Sequence, residues 1–159
     1  MRFVKESFIH ATPECVFSFH EQPEALLMLM PPWESSRIIA QARISEPGSR
    51  TIIEAKILGP FTARWIAKHT AYDPPKMFED VQVAGPFRSW RHRHIIEART
   101  DGAMLRDQID YEPPLGFLGR LVAPLLIERR LERLFEFRHQ VTREWCEKKD
   151  EGGRMKNQC

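Results

Sequence analysis

The chain has 159 residues, with 24 basic against 22 acidic side chains, a formal charge of +2 and 42% hydrophobic residues. That length suits one domain able to bury about 70% of its unfolded surface, and so balanced a charge excludes the electrostatic footprint of a nucleic-acid binder. The longest apolar run, Ala25 to Met30, falls far short of the roughly 18 residues a membrane span needs, and Met1 to Glu6 lacks the apolar stretch of a secretion signal; a soluble cytoplasmic domain without stable membrane insertion is expected.

In chain order, Arg2 to His10 reads as a strand with Phe, Val and Ile among polar residues. Thr12 then has the character of a helix N-cap, followed by Pro13 at the first helical position and Glu14 in the first turn. Gln22-Pro23-Glu24 starts a second short helix through Ala25 to Met30, stopped by Pro31-Pro32. From Ser36 the pattern turns to period two, predicting strands over Arg37–Ser45, Arg50–Leu58, Phe61–Tyr72, Lys76–Ala84, Arg88–Arg99 and Ala103–Glu112. Compact turn signals separate them, among them Gly59-Pro60, Asp73-Pro74-Pro75, Gly85-Pro86 and Asp101-Gly102, so consecutive strands should pair as antiparallel hairpins.

After Pro113-Pro114 the chain reads as helical to about Lys149. Ile127, Leu131, Leu134, Phe135, Val141 and Trp145 recur at three- and four-residue spacing, and Pro124 either kinks this helix or lies in its first turns. The expected arrangement is α+β: a single domain over residues 1–149 and a polar tail over 150–159 expected to be disordered. Cys15, Cys146 and Cys159 form no pattern suited to a disulfide framework, zinc or redox chemistry.

Alternation sorts the polar residues of the meander. Around Trp90-Arg91-His92-Arg93-His94, the arginines share the wet face, so Trp90, His92 and His94 point inward. Asp101-Gly102 favours a two-residue type I′ turn, which would set Ile96 opposite Asp107, His94 opposite Ile109 and His92 opposite Tyr111. A three-residue loop through Phe87 would set Gln82, Asp80 and Phe78 opposite Trp90, His92 and His94; a two-residue loop would put Glu79 opposite His92 instead. One strand over, Phe61, Ala63, Trp65, Ala67, His69 and Ala71 share a face. Small residues there leave room for a cavity between sheet and last helix.

Gly85-Pro86-Phe87-Arg88-Ser89-Trp90-Arg91-His92-Arg93-His94, preceded by Tyr72-Asp73-Pro74-Pro75 and Phe78-Glu79-Asp80, resembles a bacterial ligand-binding group. Asp107-Gln108-Ile109-Asp110-Tyr111-Glu112-Pro113-Pro114-Leu115-Gly116 is similar to the same group, part of the SRPBCC superfamily of START-like, polyketide cyclase/dehydrase and coenzyme Q-binding relatives. The resemblance runs from Arg2 to about Trp145. It implies a START/Bet v-like helix-grip fold, in which a curved antiparallel sheet of about seven strands holds a long C-terminal helix and two short helices close one end. It also implies a hydrophobic cavity between sheet and helix, and it carries no catalytic residue set onto this chain.

Binding of a small hydrophobic molecule, such as a lipid, quinone or polyketide-like compound, is the leading functional expectation. Trp65, His69, Phe78, Asp80, Gln82, Trp90, His92, His94, Asp107, Ile109 and Tyr111 would line the site, with Phe61 and Leu105 as further walls and Leu26 to Met30 as either a lid or a core helix. The alternative is a cyclase or dehydratase that moves protons through His92, Asp80 and Tyr111. The same residues would otherwise make a structural network running Asp80 to His92 to Tyr111.

No cofactor is expected. His92, His94 and a carboxylate, Asp80 or Asp107, would suit iron, zinc or manganese, but Ile109 opposite His94 and the lack of an obvious third histidine, His10, His20 and His139 lying on other elements, argue against a metal. Arg120, Arg129, Arg130, Arg133, Arg138 and Arg143 line the last helix; interleaved glutamates make this a solvated ion-pair face rather than a docking surface. Oligomeric state is not legible.

Overall fold

A computed structural model describes residues 1–58 and 61–156. Strand β1 (Arg2–Ile9) is followed by helices α1 (Pro13–His20) and α2 (Ala25–Met28), then by strands β2 (Ser36–Ala40), β3 (Arg50–Leu58), β4 (Phe61–Asp73), β5 (Met77–Ala84), β6 (Ser89–Arg99) and β7 (Gly102–Glu112). Helix α3 (Gly116–Ala123), a π-helical turn (Pro124–Glu128) and helix α4 (Arg129–Lys156) complete the order. All seven strands form one sheet in the order β1-β7-β6-β5-β4-β3-β2, with every neighbouring pair antiparallel. This is the helix-grip architecture implied by the sequence.

Local chemistry accounts for the element ends. Thr12 Oγ1 accepts from the Cys15 amide at 3.2 Å and Pro13 opens α1, as the capping pattern predicts. Each Pro-Pro pair marks a boundary: after α2, between β4 and β5, and after β7. The Gly59-Pro60 turn and the Phe61 side chain lie outside the described residues. Strand β2 is shorter than predicted, because residues 41–45 leave the sheet; there the Ala42 amide is satisfied by Thr51 Oγ1 at 3.2 Å instead of by a ladder partner.

Two further expectations need correction at the ends of the helical region. Helix α4 continues to Lys156 rather than giving way at Lys149, since Gly152-Gly153 weakens a helix by about 1 kcal/mol per glycine without breaking it. Pro124 neither starts the helix nor simply bends it. Lacking an N–H, it begins a π-helical turn that separates α3 from α4.

The core lies between the inner sheet face and one stripe of α4, in two apolar groups. Ile9, Val16, Phe17, Phe19, Phe78 and Leu105 with Cys146 form one, closed by α1. Phe3, Trp90, Ile109, Tyr111, Leu131 and Phe135 form the other, with Trp65 and Phe87 packed against it. In α4 the buried positions are Leu131, Phe135, His139, Thr142 and Cys146. That spacing is the apolar stripe of a surface helix with two polar residues set into it.

Candidate functional site

The inner face is positioned by strand register. Between β5 and β6, Asp80 pairs with His92 and Phe78 with His94, as the longer loop through Phe87 predicts. Gln82 braces that loop, donating to the Phe87 carbonyl at 2.7 Å and accepting from its amide at 3.3 Å. Its amide is therefore committed to the turn.

Between β6 and β7 the register differs from expectation by two residues. Arg99 pairs with Gly102, so Trp90 faces Tyr111, His92 faces Ile109 and His94 faces Asp107. Gly102 does not have the positive φ of a type I′ turn. It is needed for close approach, because a Cβ there would stand 2.2 Å from the Ile9 carbonyl oxygen. A shift of two leaves every residue on its predicted face, since sides alternate with period two. It changes which residues meet.

Asp107 consequently sits at the centre of the polar cluster, with 2% of its surface exposed. His92 donates from Nε2 to its Oδ1 at 2.7 Å, and His139 of α4 donates from Nε2 to its Oδ2 at 2.6 Å. His94 Nδ1 also lies 2.6 Å from Oδ1, but off the line an N–H would follow, so it has no aligned partner. An ionised carboxylate only accepts, which fixes an N–H at Nε2 of both His92 and His139. In its neutral form His139 then accepts from the Ser7 hydroxyl at 2.8 Å. The chain Ser7–His139–Asp107–His92 thus ties β1, α4, β7 and β6 together.

Asp80 lies on the other side of His92, its Oδ2 3.6 Å from Nδ1, too far for a hydrogen bond. His69 of β4 is paired with Asp80 in register and approaches Thr51 Oγ1 through Nε2 at 3.5 Å. His20 of α1 donates to the Val16 carbonyl at 2.9 Å and lies beside His94, ring centroids 5.5 Å apart. Phe78 stacks on His94 at 4.0 Å. Five of the six histidines in the sequence therefore gather between sheet and helix; His10 alone is exposed.

Burial dominates the electrostatics. It would raise the Asp107 carboxyl, but the adjoining His94, with the bonds from His139 and His92, holds it well below the usual carboxylate range. Burial raises Asp80, against the smaller opposing effects of His92, His69 and Arg138. It also lowers His20 and His69, and with the help of His92 lowers His94 to about 3.

All eleven residues predicted to line the site project from the inner face, but they divide into two groups. Trp65, Trp90, Ile109 and Tyr111 form the apolar end, where the Trp65 and Trp90 rings meet edge to face at 4.9 Å. The alternative Asp80–His92–Tyr111 network does not form. Tyr111 instead approaches Glu128 through its hydroxyl at 3.3 Å, and burial with that carboxylate raises its phenol to about 12. Ala71 also leaves the predicted inner face, because a bulge between His69 and Ala71 turns Tyr72 inward against Phe17.

His139 and Arg138 were not among the predicted site residues. The signal for His139 lies in its position, four after Phe135 and three before Thr142 on the buried stripe. Arg138, read from sequence as exposed, is half-buried; its Nε donates to the Leu29 carbonyl at 3.1 Å and its guanidinium lies 5.2 Å from the Phe135 ring centre. Leu26 to Met30, expected as either a lid or a core helix, are divided: Leu29 is buried, whereas Leu27 and Met28 are exposed.

Surface grooves open among the described residues at the seam of β1 with the start of α4 and beside α1. One, of about 420 Å³, is lined by Arg2, Phe3, Val4, Glu128, Arg129 and Glu132; the other, of about 440 Å³, by Glu14, Cys15, Ser18 and Lys149. Six large apolar side chains around α3, namely Leu115, Phe117, Leu118, Leu121, Leu125 and Leu126, face solvent. Among the described residues no helix is long and apolar enough to cross a membrane.

Residues 9–135 match the model of a family described as polyketide cyclase / dehydrase and lipid transport. No curated protein shows significant similarity to the chain. Among solved structures, a START superfamily protein from Mycobacterium smegmatis is 17% identical with a TM-score of 0.66, the match covering 92% of this chain and 97% of that one. A protein from Chromobacterium violaceum is 11% identical with a TM-score of 0.70, covering 92% and 96%. The di-domain ARO/CYC StfQ from the steffimycin biosynthetic pathway is 12% identical with a TM-score of 0.66, covering 94% of this chain and 52% of StfQ. At these identities the likeness is one of fold.

Proposed function

The chain belongs to the polyketide cyclase/dehydrase and lipid transport family, and from that premise we propose that it binds a small, largely apolar molecule between the sheet and α4. The observation that carries this reading is the cluster of ionisable side chains inside an otherwise apolar grip. Asp80 Oδ2 and His92 Nδ1 face each other at 3.6 Å without a hydrogen bond, and Nδ1 of His69 and of His94 is enclosed without an aligned one, next to walls from Phe78, Trp90, Trp65 and Ile109. Apolar walls with a few convergent polar groups are what a small-molecule site requires. The ligand is accordingly an apolar body with at least one oxygen function, of the lipid, quinone or polyketide-like class. His69, Asp107 and Tyr111 belong to the same interior, while Gln82 acts by holding the loop at Phe87.

Helix α4 covers the cluster, so a ligand enters when a covering element moves. Helix α2 has the smallest anchor, with Ala25 and Leu29 as its buried contacts. The binding unit is a single domain over residues 1–149, working in the cytoplasm on a small molecule and not on nucleic acid. Titration of fatty acids, quinones and aromatic polyketides against tryptophan emission tests this, with native mass spectrometry of the purified protein for any retained compound. Saturable quenching, reduced in Trp90→Phe, is expected. A flat response to the whole panel with no retained compound overturns the reading.

A second reading is favoured by one observation: His92 has a carboxylate facing each ring nitrogen, Asp107 at 2.7 Å and Asp80 at 3.6 Å. Such a pair can carry a proton for cyclisation or dehydration of the bound molecule. Product formation from a polyketide-like substrate, abolished in His92→Gln while binding persists, would establish it.

A further inference from the structure

We propose that Asp80, His92 and His94 form a binding site for a divalent transition-metal cation of the zinc or ferrous-iron class, with Asp107 as the carboxylate that orients the His92 imidazole. The argument begins with register. Asp80 faces His92 across β5 and β6, and His94 follows two residues later on the same face, so one donor atom from each lies within 4.8 Å of the others. Side chains on three inward positions of two paired strands are held there by the ladder, not by flexible loops.

Asp80 and Nδ1 of His92 are free of hydrogen bonds among the described residues, the Asp80 oxygen standing 3.6 Å from that nitrogen. His94 completes the set; its Nδ1 is enclosed 2.6 Å from Asp107 Oδ1 without an aligned hydrogen bond. Enclosed polar groups are nearly always satisfied, so a carboxylate and an imidazole nitrogen facing each other without a hydrogen bond, with a second imidazole beside them, call for a shared electropositive guest. Two imidazoles and a carboxylate suit Zn²⁺ and Fe²⁺.

Asp107 supplies the outer arrangement that metal-binding histidines require. It takes the Nε2 proton of His92 at 2.7 Å, which leaves the lone pair of Nδ1 directed to the Asp80 side. Asp107 is in turn held by His139 at 2.6 Å. The sequence argument against a metal assumed Ile109 opposite His94; Asp107 stands there instead. A cation bound at about 2.1 Å from each donor draws the three side chains closer than 4.8 Å. With three protein ligands it keeps at least one position for an oxygen of the bound molecule. This deepens the ligand-binding reading and rests on it for that last step alone. It excludes the proton-transfer reading at His92, whose Nδ1 would carry metal.

The test is equilibrium dialysis of the purified protein against Zn²⁺ or Co²⁺ without organic ligand, followed by metal analysis and, for Co²⁺, visible absorption. One tightly held equivalent with d–d bands is expected. It should be lost in Asp80→Asn and His94→Gln with unchanged far-UV circular dichroism, kept in His10→Ala, and weakened about 10- to 100-fold in Asp107→Asn. No retained cation, or retention equal to wild type in both ligand variants, overturns the proposal. Should those variants fail to fold, X-ray absorption of the zinc-loaded wild type decides: two imidazoles in the coordination shell support the site and none overturns it. Lipophilic-probe binding to EDTA-treated protein separates the two readings, since probe binding without cation retention removes the metal alone.

Discussion

His139 of α4 and Asp107 of β7 meet at 2.6 Å, and through this bond the long helix is fastened to the floor of the sheet. Both are buried, at 1% and 2% exposure, where the apolar stripe of α4 meets the sheet. Hydrophobic packing alone would allow the helix to slide along the sheet, whereas a charge-assisted bond to one buried carboxylate allows a single position.

Asp107→Asn should therefore destabilise the fold by about 3–5 kcal/mol, the usual cost of leaving a buried network with an unmatched partner. Urea denaturation of the metal-free variant measures it. A loss below about 1 kcal/mol would mean that the histidines find other partners and that the carboxylate does not anchor the helix.

Acid should unfold the metal-free protein in two stages. His94 is depressed from 6.5 to about 3, and His20 is lowered as well, both by burial first. The unfolded chain then binds more protons as pH falls below about 6.5, so stability declines by up to about 1.4 kcal/mol per pH unit for each group until its folded value is passed. The groups facing His94 are His92, Asp107, His20 and the Phe78 ring. Asp107 contributes stability above its unfolded value near 3.8, lost below it as protons compete for the carboxylate. Asp80 has the opposite sign: its raised carboxyl costs stability as pH rises past its unfolded value. Denaturation midpoints between pH 7 and pH 3 check the slope, which should flatten above pH 5 in His94→Gln.

Gly102→Ala should cost about 1–3 kcal/mol through overpacking, because the added methyl meets the Ile9 carbonyl oxygen at 2.2 Å and Phe8 at 3.0 Å. Thermal melting would detect a shift of several degrees. An unchanged midpoint would show that β1 and β7 part easily at that end.

That glycine also explains where the sequence is legible and where it is not. Alternation identifies the inward polar residues of the strands, Asp80, His92, His94 and Asp107 among them, since side choice there depends on local period alone. The β5–β6 pairing is legible because Gln82 and Phe87 close a loop of the right length. The β6–β7 pairing is not, because Asp-Gly suggests turn chemistry while Gly102 is there for a contact with Ile9, far away in sequence. His139 is obscured differently. It interrupts an apolar stripe among charged residues, and its carboxylate partner lies 32 positions earlier.

Phe117→Ser with Leu121→Ser should leave stability within about 0.5 kcal/mol of wild type, since both side chains face solvent. The double variant should bind less of a hydrophobic dye such as ANS. Paired measurement of dye fluorescence and urea midpoint checks this; a large loss of stability would place these side chains against the core.

The π-helical turn at Pro124–Glu128 has a consequence for counting along the chain. Phe117 and Leu121 precede Leu131 and Phe135 by 14 residues each, two heptads, so an uninterrupted α-helix would carry all four on nearly one line. A π turn takes up one residue more than an α turn and rotates what precedes it by about 100°. The leucines of α3 thus belong by number to the seam that α4 presses into the sheet, yet they point away from it. Removing one residue from the turn would swing them back into line, and the same side chains would become a roof over the apolar end of the grip.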